Sequence, residues 1–331
     1  MPRKTYRKQI TSGDLSLQFN EVNVKIIEKF LKEKNSRSSS LTVKNYKSDL
    51  DIFQTWNLQN NNNKGFYEIK KLEFSEFFIY AIEELQWGSA RFSRMKSVLS
   101  SLSNFIEKYY DEEYPSFRNV ILKAVESMPK NERREKTVLS DKQIQDLFLY
   151  LENEPQIACW LALATSSGSR FSELLRFTTD IIDINHTAFQ DIFIETLQPI
   201  RTKGRGRDGK MLVKYIIKDI FIPHYEKWLI ERSNVLNKYD KNHNYVFIKN
   251  NGDPLGESGA RVWVNKIEKF LNTSFYPHCL RHFFCTYLAS KGLPYELIKE
   301  ITGWSSVQMV EVYNDVTAKD KKWQELENFK N

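Results

Sequence analysis

The sequence predicts a mainly α-helical protein of two domains with a small β-sheet. Three observations lead there. Apolar residues recur at helical spacing through the first 130 residues. A polar, proline-containing stretch then breaks the pattern, and in the second half two runs with strand character flank a glycine- and arginine-rich turn. The 331 residues, 41% apolar and 14% aromatic, suffice for packed cores, which excludes wholesale disorder.

Residues 1–19, opening MPRKTYRKQ, read as a basic N-terminal tail. Val22, Ile26, Ile27, Phe30 and Leu31 then mark one amphipathic helix. Tyr46, Leu50 and Phe53 mark a second, behind the Ser- and Thr-rich stretch from Ser36 to Thr42. A third apolar stretch covers Leu72 to Leu85, after an Asn-rich loop at Asn60 to Asn63. A fourth runs from Ser89 through Met95, Leu99, Leu102, Phe105, Ile106 and Tyr109. Residues 20–130 are therefore expected to form an all-helical domain. The polar stretch MPKNERREKT, Met128 to Thr137, places a boundary near residue 135 and a linker over 131–138. Ser140 and Gln143 form a capping-box pattern ahead of Ile144, Leu147 and Phe148, opening a second domain over 139–317. Strands are expected over Phe189 to Leu197 and Met211 to Ile222, followed by helices to Val312. In the final 318–331, Trp323, Leu326 and Phe329 stand at near-helical spacing.

Lys and Arg number 49 against 42 Asp and Glu, a net charge of +7 that favours an acidic partner such as nucleic acid. The pI is about 9.0. Cys159, Cys279 and Cys285 are odd in number and form no CxxC pair, which argues against a disulfide framework and a cysteine-rich zinc site. No apolar run approaches the roughly 18 residues of a membrane span, and no apolar stretch follows the basic start as in a signal peptide. The expectation is a soluble, cytoplasmic protein, associated with the nucleoid if prokaryotic.

The densest motifs lie late in the chain. His278, Cys279, Leu280, Arg281 and His282 form an H-x-L-R-H box; Gly303, Trp304, Ser305 and Ser306 form a G-W-S-S box; and Tyr313 follows the tryptophan by nine residues. Earlier, SSGSRFSELL carries Arg170 with Glu173 three residues on. In their order and spacing these segments resemble the tyrosine recombinases, the phage-integrase-like enzymes that cut and rejoin DNA. The resemblance covers about the last 195 residues by motif and the N-terminal helices by general pattern. It implies an all-helical core-binding domain and a mixed α/β catalytic domain that together form a C-shaped clamp on duplex DNA.

The chemistry explains the residue types. Displacement at a phosphodiester builds charge on the equatorial oxygens, and an arginine fork answers it with parallel bonds while staying charged at any working pH. By resemblance, Arg170 and Arg281 are the two phosphate-clamping arginines and Tyr313 is the nucleophile. A phenol with an ordinary pKa of about 10 needs a base or a positive field to lose its proton. His278, whose ring titrates near working pH, is the implied partner, one helical turn from Arg281 and His282. Glu173 would orient the arginine or the histidine, and His282 would be a structural hydrogen-bonding residue. Trp304 replaces the family's commoner histidine; an indole donates one hydrogen bond and shuttles no proton, so its expected part is phosphate contact and packing.

The family protonates the leaving 5′-oxygen with a lysine on a β-hairpin. Between Pro199 and Lys218 this chain has seven basic residues against one acidic, with Gly204, Gly206 and Gly209 in the turn. Lys203, in a T-K-G context, is the chosen general acid, with Lys210 its rival. Arg201, Arg205, Arg207 and Lys210 are expected on the DNA backbone, with Lys44, Lys47, Arg91, Arg94 and Lys96 of the N-terminal helices.

No metal is expected. His278 and His282 enclose Cys279, Leu280 and Arg281 rather than an HExxH pattern, and Arg281 would repel a cation. Asp180, Asp183, Asp191 and Glu195 are the only nearby carboxylate set, the first two expected in a loop and the others on a strand exterior. Neither a metal nor a nucleotide cofactor is implied, because each bond broken is replaced by an equivalent one. The resemblance implies a homotetramer on two specific DNA sites, a C-terminal tail that docks on the neighbouring subunit or folds back on its own domain, and accessory DNA-bending or directionality proteins. The alternatives are a type IB topoisomerase, which rejoins the same strand, and a non-catalytic DNA-binding protein on the same fold.

Overall fold

The computed structural model describes residues 11–126, 137–204 and 209–304. They divide into two compact units, 11–126 and 137–304. The first is entirely helical. A short α1 (Gly13–Ser16) precedes α2 (Glu21–Arg37) and α3 (Ser40–Asn60). A 3₁₀ turn (Phe66–Glu68) leads to α4 (Lys71–Glu83), α5 (Ser89–Tyr109) and a single-turn α6 (Ile121–Ala124). Side chains of Ser12, Asn20 and Ser39 accept from the first free amides of α1, α2 and α3, so each helix starts where a capping residue stands. Phe19 is buried and the Thr11 hydroxyl bonds that of Thr55, so the helical unit takes in residues expected to be tail.

The Asn-rich loop has a structural use. Asn62 and Asn63 adopt left-handed backbone angles, which asparagine tolerates. The Asn20 amide donates to the Asn63 side chain at 3.0 Å, and the Asn20 side chain donates to the Asn63 carbonyl at 2.9 Å, tying this loop to the start of α2. The core below it is aromatic: Phe53 of α3 meets Trp56, Phe66, Phe74 and Phe77 at ring separations of 4.9–5.9 Å. Met95, Val98, Leu99, Leu102 and Ile106 present the buried stripe of α5 to it.

The second unit is built around α8 (Pro155–Ser167), which follows α7 (Asp141–Tyr150) and is buried along nearly its whole length. Such a helix is apolar all round because other elements cover every side. After α9 (Phe171–Leu174) come a 3₁₀ turn (Thr179–Ile181) and the strands β1 (Thr187–Ala188), β2 (Phe193–Glu195), β3 (Ile200–Thr202), β4 (Lys210–Leu212) and β5 (Tyr215–Ile217). Helices α10 (Lys218–Lys238), α11 (Glu257–Leu271), α12 (His278–Ser290) and α13 (Tyr295–Thr302) complete the described part, α10 and α12 packing on α8. The expected class, mainly α with a small sheet, is the observed one.

Three details differ from expectation. The strands form nested antiparallel pairs: β1, β2 and β5 make one sheet, with Ile194 opposite Ile216, and β3 pairs with β4. The expected second strand also ends early, because α10 starts at Lys218. Phe221, Tyr225 and Trp228 bury one helical face, and a short apolar run alone does not separate a strand from a buried helix. Asp191 falls in the positive-φ turn before β2, not on a strand exterior, and Asp180 lies in the 3₁₀ turn. Among the described residues, no helix is long and apolar enough to cross a membrane.

Candidate active site

Arg170 immediately precedes α9, and that short helix carries Glu173. The Glu173 carboxylate, fully buried, turns back on the chain. Its Oε1 accepts from the Arg170 guanidinium at 2.8 Å, and its Oε2 accepts from the Arg170 backbone N–H at 3.2 Å. A second cation completes the group: Lys214, between β4 and β5, donates from Nζ to Oε2 at 2.7 Å. The lysine side chain is 1% exposed and that of Arg170 26%. Burial pushes the Glu173 carboxyl up, but the Lys214 charge and the hydrogen bonds from Lys214 and Arg170 outweigh it and hold the group at about 2. Burial pushes the Lys214 ammonium down, and Glu173 opposes this while the charges of Arg281 and Arg170 reinforce it.

Arg281 is fully buried on the first turn of α12. Its guanidinium donates to the Gly168 carbonyl and to the Thr302 carbonyl, each at 2.7 Å. Both carbonyls stand at helix C-termini, those of α8 and α13, where carbonyls lack intrahelical partners and the helix dipole is negative. Gly168 caps α8 with φ +56°, and a Cβ there would lie 2.3 Å from the Phe284 ring, so glycine is required on both counts. The other face of the arginine has Trp304, whose buried ring lies 5.0 Å from the guanidinium carbon. His278 opens α12, its ring 4.5 Å from that of the buried His282.

The basic hairpin joins this region through the backbone. Arg176, just past α9, donates to the Arg201 carbonyl on β3 at 2.7 Å. The Thr202 hydroxyl donates to the Lys210 carbonyl across the pair at 2.9 Å. Arg201, Lys203 and Lys210 are all exposed, so neither candidate general acid is singled out by burial. Arg205, Arg207 and Tyr313 lie outside the described residues, as do Ser305, Ser306 and the final 318–331. Arg170, Glu173, His282, Arg281, Trp304 and His278 thus belong to one region of the second unit, and Lys203 extends from its β-hairpin.

In the helical unit, Asp49 of α3 is fully buried and holds two of the expected DNA-facing arginines. Arg94 grips both its oxygens at 2.7 and 2.8 Å, and Arg91 reaches Oδ1 at 2.8 Å. Arg91 also lies 5.0 Å from the Trp87 ring. Lys44 is exposed, Lys47 pairs with Asp51 at 3.4 Å, and Lys96 donates to the Val125 carbonyl. Asp183, Asp180, Asp191 and Glu195 do not gather: Asp191 pairs with Lys218, and Glu195 accepts from the Tyr215 hydroxyl at 3.3 Å. Among the described residues, no group of three His, Cys, Asp or Glu is placed to hold a metal ion. Lys214 and Asp49 are the residues that motif reading missed. The one available signal for Lys214 was a lysine inside an otherwise apolar strand run, MLVKYII.

The fold is that of the tyrosine recombinases. A solved structure of XerH site-specific recombinase bound to difH substrate matches with a TM-score of 0.65 at 16% identity, over 88% of this chain and 91% of that one. In sequence, the tyrosine recombinase XerC of Oceanobacillus iheyensis is 27% identical over 86% of this chain and 88% of its own length. The SPbeta prophage-derived recombinase-like protein YomM of Bacillus subtilis is 28% identical over 86% and 84%. The phage integrase family model matches residues 137–320, more than half of the chain. The chain belongs to the phage integrase family, and is thus a tyrosine-type site-specific recombinase.

Proposed function

We propose that this chain cuts and rejoins duplex DNA at specific sites through a 3′-phosphotyrosyl intermediate formed by Tyr313. The tyrosine oxygen attacks the scissile phosphorus, the bond from phosphorus to the 5′-oxygen breaks, and the phosphotyrosyl link keeps the bond energy. His278 takes the phenol proton, and Lys203 donates one to the leaving 5′-oxygen. The 5′-hydroxyl of the partner strand then attacks the link and returns the proton path to its start. Arg170 and Arg281 carry the phosphate charge. The observation that carries this reading is that Arg281 bonds the Gly168 carbonyl, two residues before Arg170, so both arginines belong to one corner of the second unit.

Residues 20–130 act as the core-binding domain and 139–317 as the catalytic domain. Arg91, Arg94, Lys44, Lys47, Lys96 and the hairpin cations grip backbone phosphates, so affinity falls steeply with salt. The active assembly is a homotetramer on two sites in the cytoplasm, with the tail around Trp323 docked on a neighbour.

Covalent trapping tests the assignment. Full-length protein is incubated with nicked duplexes recovered from a random-sequence library by covalent capture. Wild type leaves a protein–DNA adduct on denaturing gels and Tyr313→Phe leaves none; an adduct that persists in the Phe variant refutes the nucleophile. Plasmid relaxation with no strand exchange between two sites would identify a topoisomerase instead.

A further inference from the structure

We propose that Lys214 is a positioning residue that keeps Arg170 available to the scissile phosphate by occupying the second oxygen of Glu173. This rests on the assignment of Arg170 to that phosphate.

The geometry of the three groups carries the argument. A carboxylate and a guanidinium left to themselves pair through two parallel bonds, oxygen for nitrogen. Asp49 and Arg94 of this same chain do so, at 2.7 and 2.8 Å. Glu173 and Arg170 do not: one guanidinium nitrogen meets Oε1 at 2.8 Å, while Oε2 is taken by the Lys214 ammonium at 2.7 Å and by the Arg170 backbone N–H at 3.2 Å. The lysine therefore occupies the oxygen that a second arm of the fork would otherwise meet. It also changes the charge balance, since one carboxylate between two cations leaves a net positive group. The remaining donors of the Arg170 fork are not spent on Glu173, and the side chain keeps 26% exposure.

Among the described residues, the Lys214 ammonium is engaged by Glu173. Its side chain is 1% exposed, too buried to grip a DNA backbone from the surface as the hairpin cations Lys203 and Lys210 can. Its backbone is fixed as well: its N–H donates to the Thr196 hydroxyl and its carbonyl accepts from the Thr196 N–H, both at 3.0 Å. It stands two residues beyond β4, so the same lysine joins the root of the basic hairpin to the arginine. A buried lysine is costly without a partner, and among the described residues its charge is met by the carboxylate that also holds Arg170.

The test measures adduct formation by full-length variants on a captured nicked duplex at saturating protein, alongside DNA affinity and thermal melting. Lys214→Met is expected to lower the saturated rate by about tenfold or more while affinity stays within about threefold, as expected when an interaction realised in the transition state is lost. Adding Glu173→Gln to Lys214→Met removes the charge that draws Arg170 back, and is expected to recover about threefold or more of that rate. A Lys214→Met rate within about twofold of wild type overturns the proposal, as does a double variant no faster than the single. Loss of both the melting transition and DNA binding in Lys214→Met also overturns it, making the lysine a fold residue only. If instead Arg170→Ala forms adduct at the wild-type rate, the assignment of Arg170 is what fails.

Discussion

Asp49 in the helical unit and Glu173 in the second unit are both fully buried carboxylates, and each holds two cations. The cations differ in what is left for solvent. Arg91 and Arg94 keep 33% and 43% exposure on one face of α5, three residues apart, with the Arg94 fork closed on Asp49. At Glu173 one cation is partly exposed and the other is sealed in. The first arrangement presents two partly exposed charges, as the proposed contact with a phosphate backbone requires. The second backs one guanidinium with a buried lysine on the same carboxylate, as the proposed part of Arg170 at a reacting phosphate requires. Equal charge counts therefore do different work according to which partner is desolvated.

The comparison can be broken most sharply at the carboxylates. Glu173→Ala leaves Lys214 buried with no counter-charge and is expected to cost about 3–5 kcal/mol, read as faster hydrogen exchange in α8 and α12. Asp49→Ala frees two arginines that water can reach, so about 1–2 kcal/mol is expected from exchange in α3 and α5. Equal losses at the two sites would erase the distinction.

Acid gives a slightly smaller effect with a defined sign. The Glu173 carboxyl lies at about 2 in the folded chain against its ordinary 4.5, so its contribution is complete above about pH 5 and is lost as pH falls toward 2. The shift corresponds to about 3 kcal/mol at neutral pH. Glu173→Gln should flatten that part of the acid unfolding curve measured in the second unit. A curve that keeps its full slope would locate the linkage elsewhere.

The smallest effects belong to the helical unit's surface. Arg94→Ala is expected to weaken DNA binding several-fold and to reduce the slope of log affinity against log salt by about 1, with the saturated cleavage rate unchanged. A fall in that rate would place Arg94 with the second kind of site, against the comparison.

Sequence alone determined most of the helices, several of their starts and the residues of the chemical motifs. Periodicity, capping residues and motif spacing are local, and Ser39, Asn20 and the Ser140–Gln143 pair act on neighbours within three residues. The fold class was legible for the same reason, and so was the family, through the boxes around Arg281 and Trp304. Tertiary structure decided what those residues touch. Strand pairing nested β3 and β4 inside β2 and β5, and the burial of Phe221 and Trp228 made a helix of an apolar run that also suits a strand. Lys214 meets Glu173 across 41 residues, Arg94 meets Asp49 across 45, and Arg281 meets the Gly168 carbonyl across 113. No local pattern encodes such contacts, because they follow from which helix ends and strand edges the packing within each unit brings together.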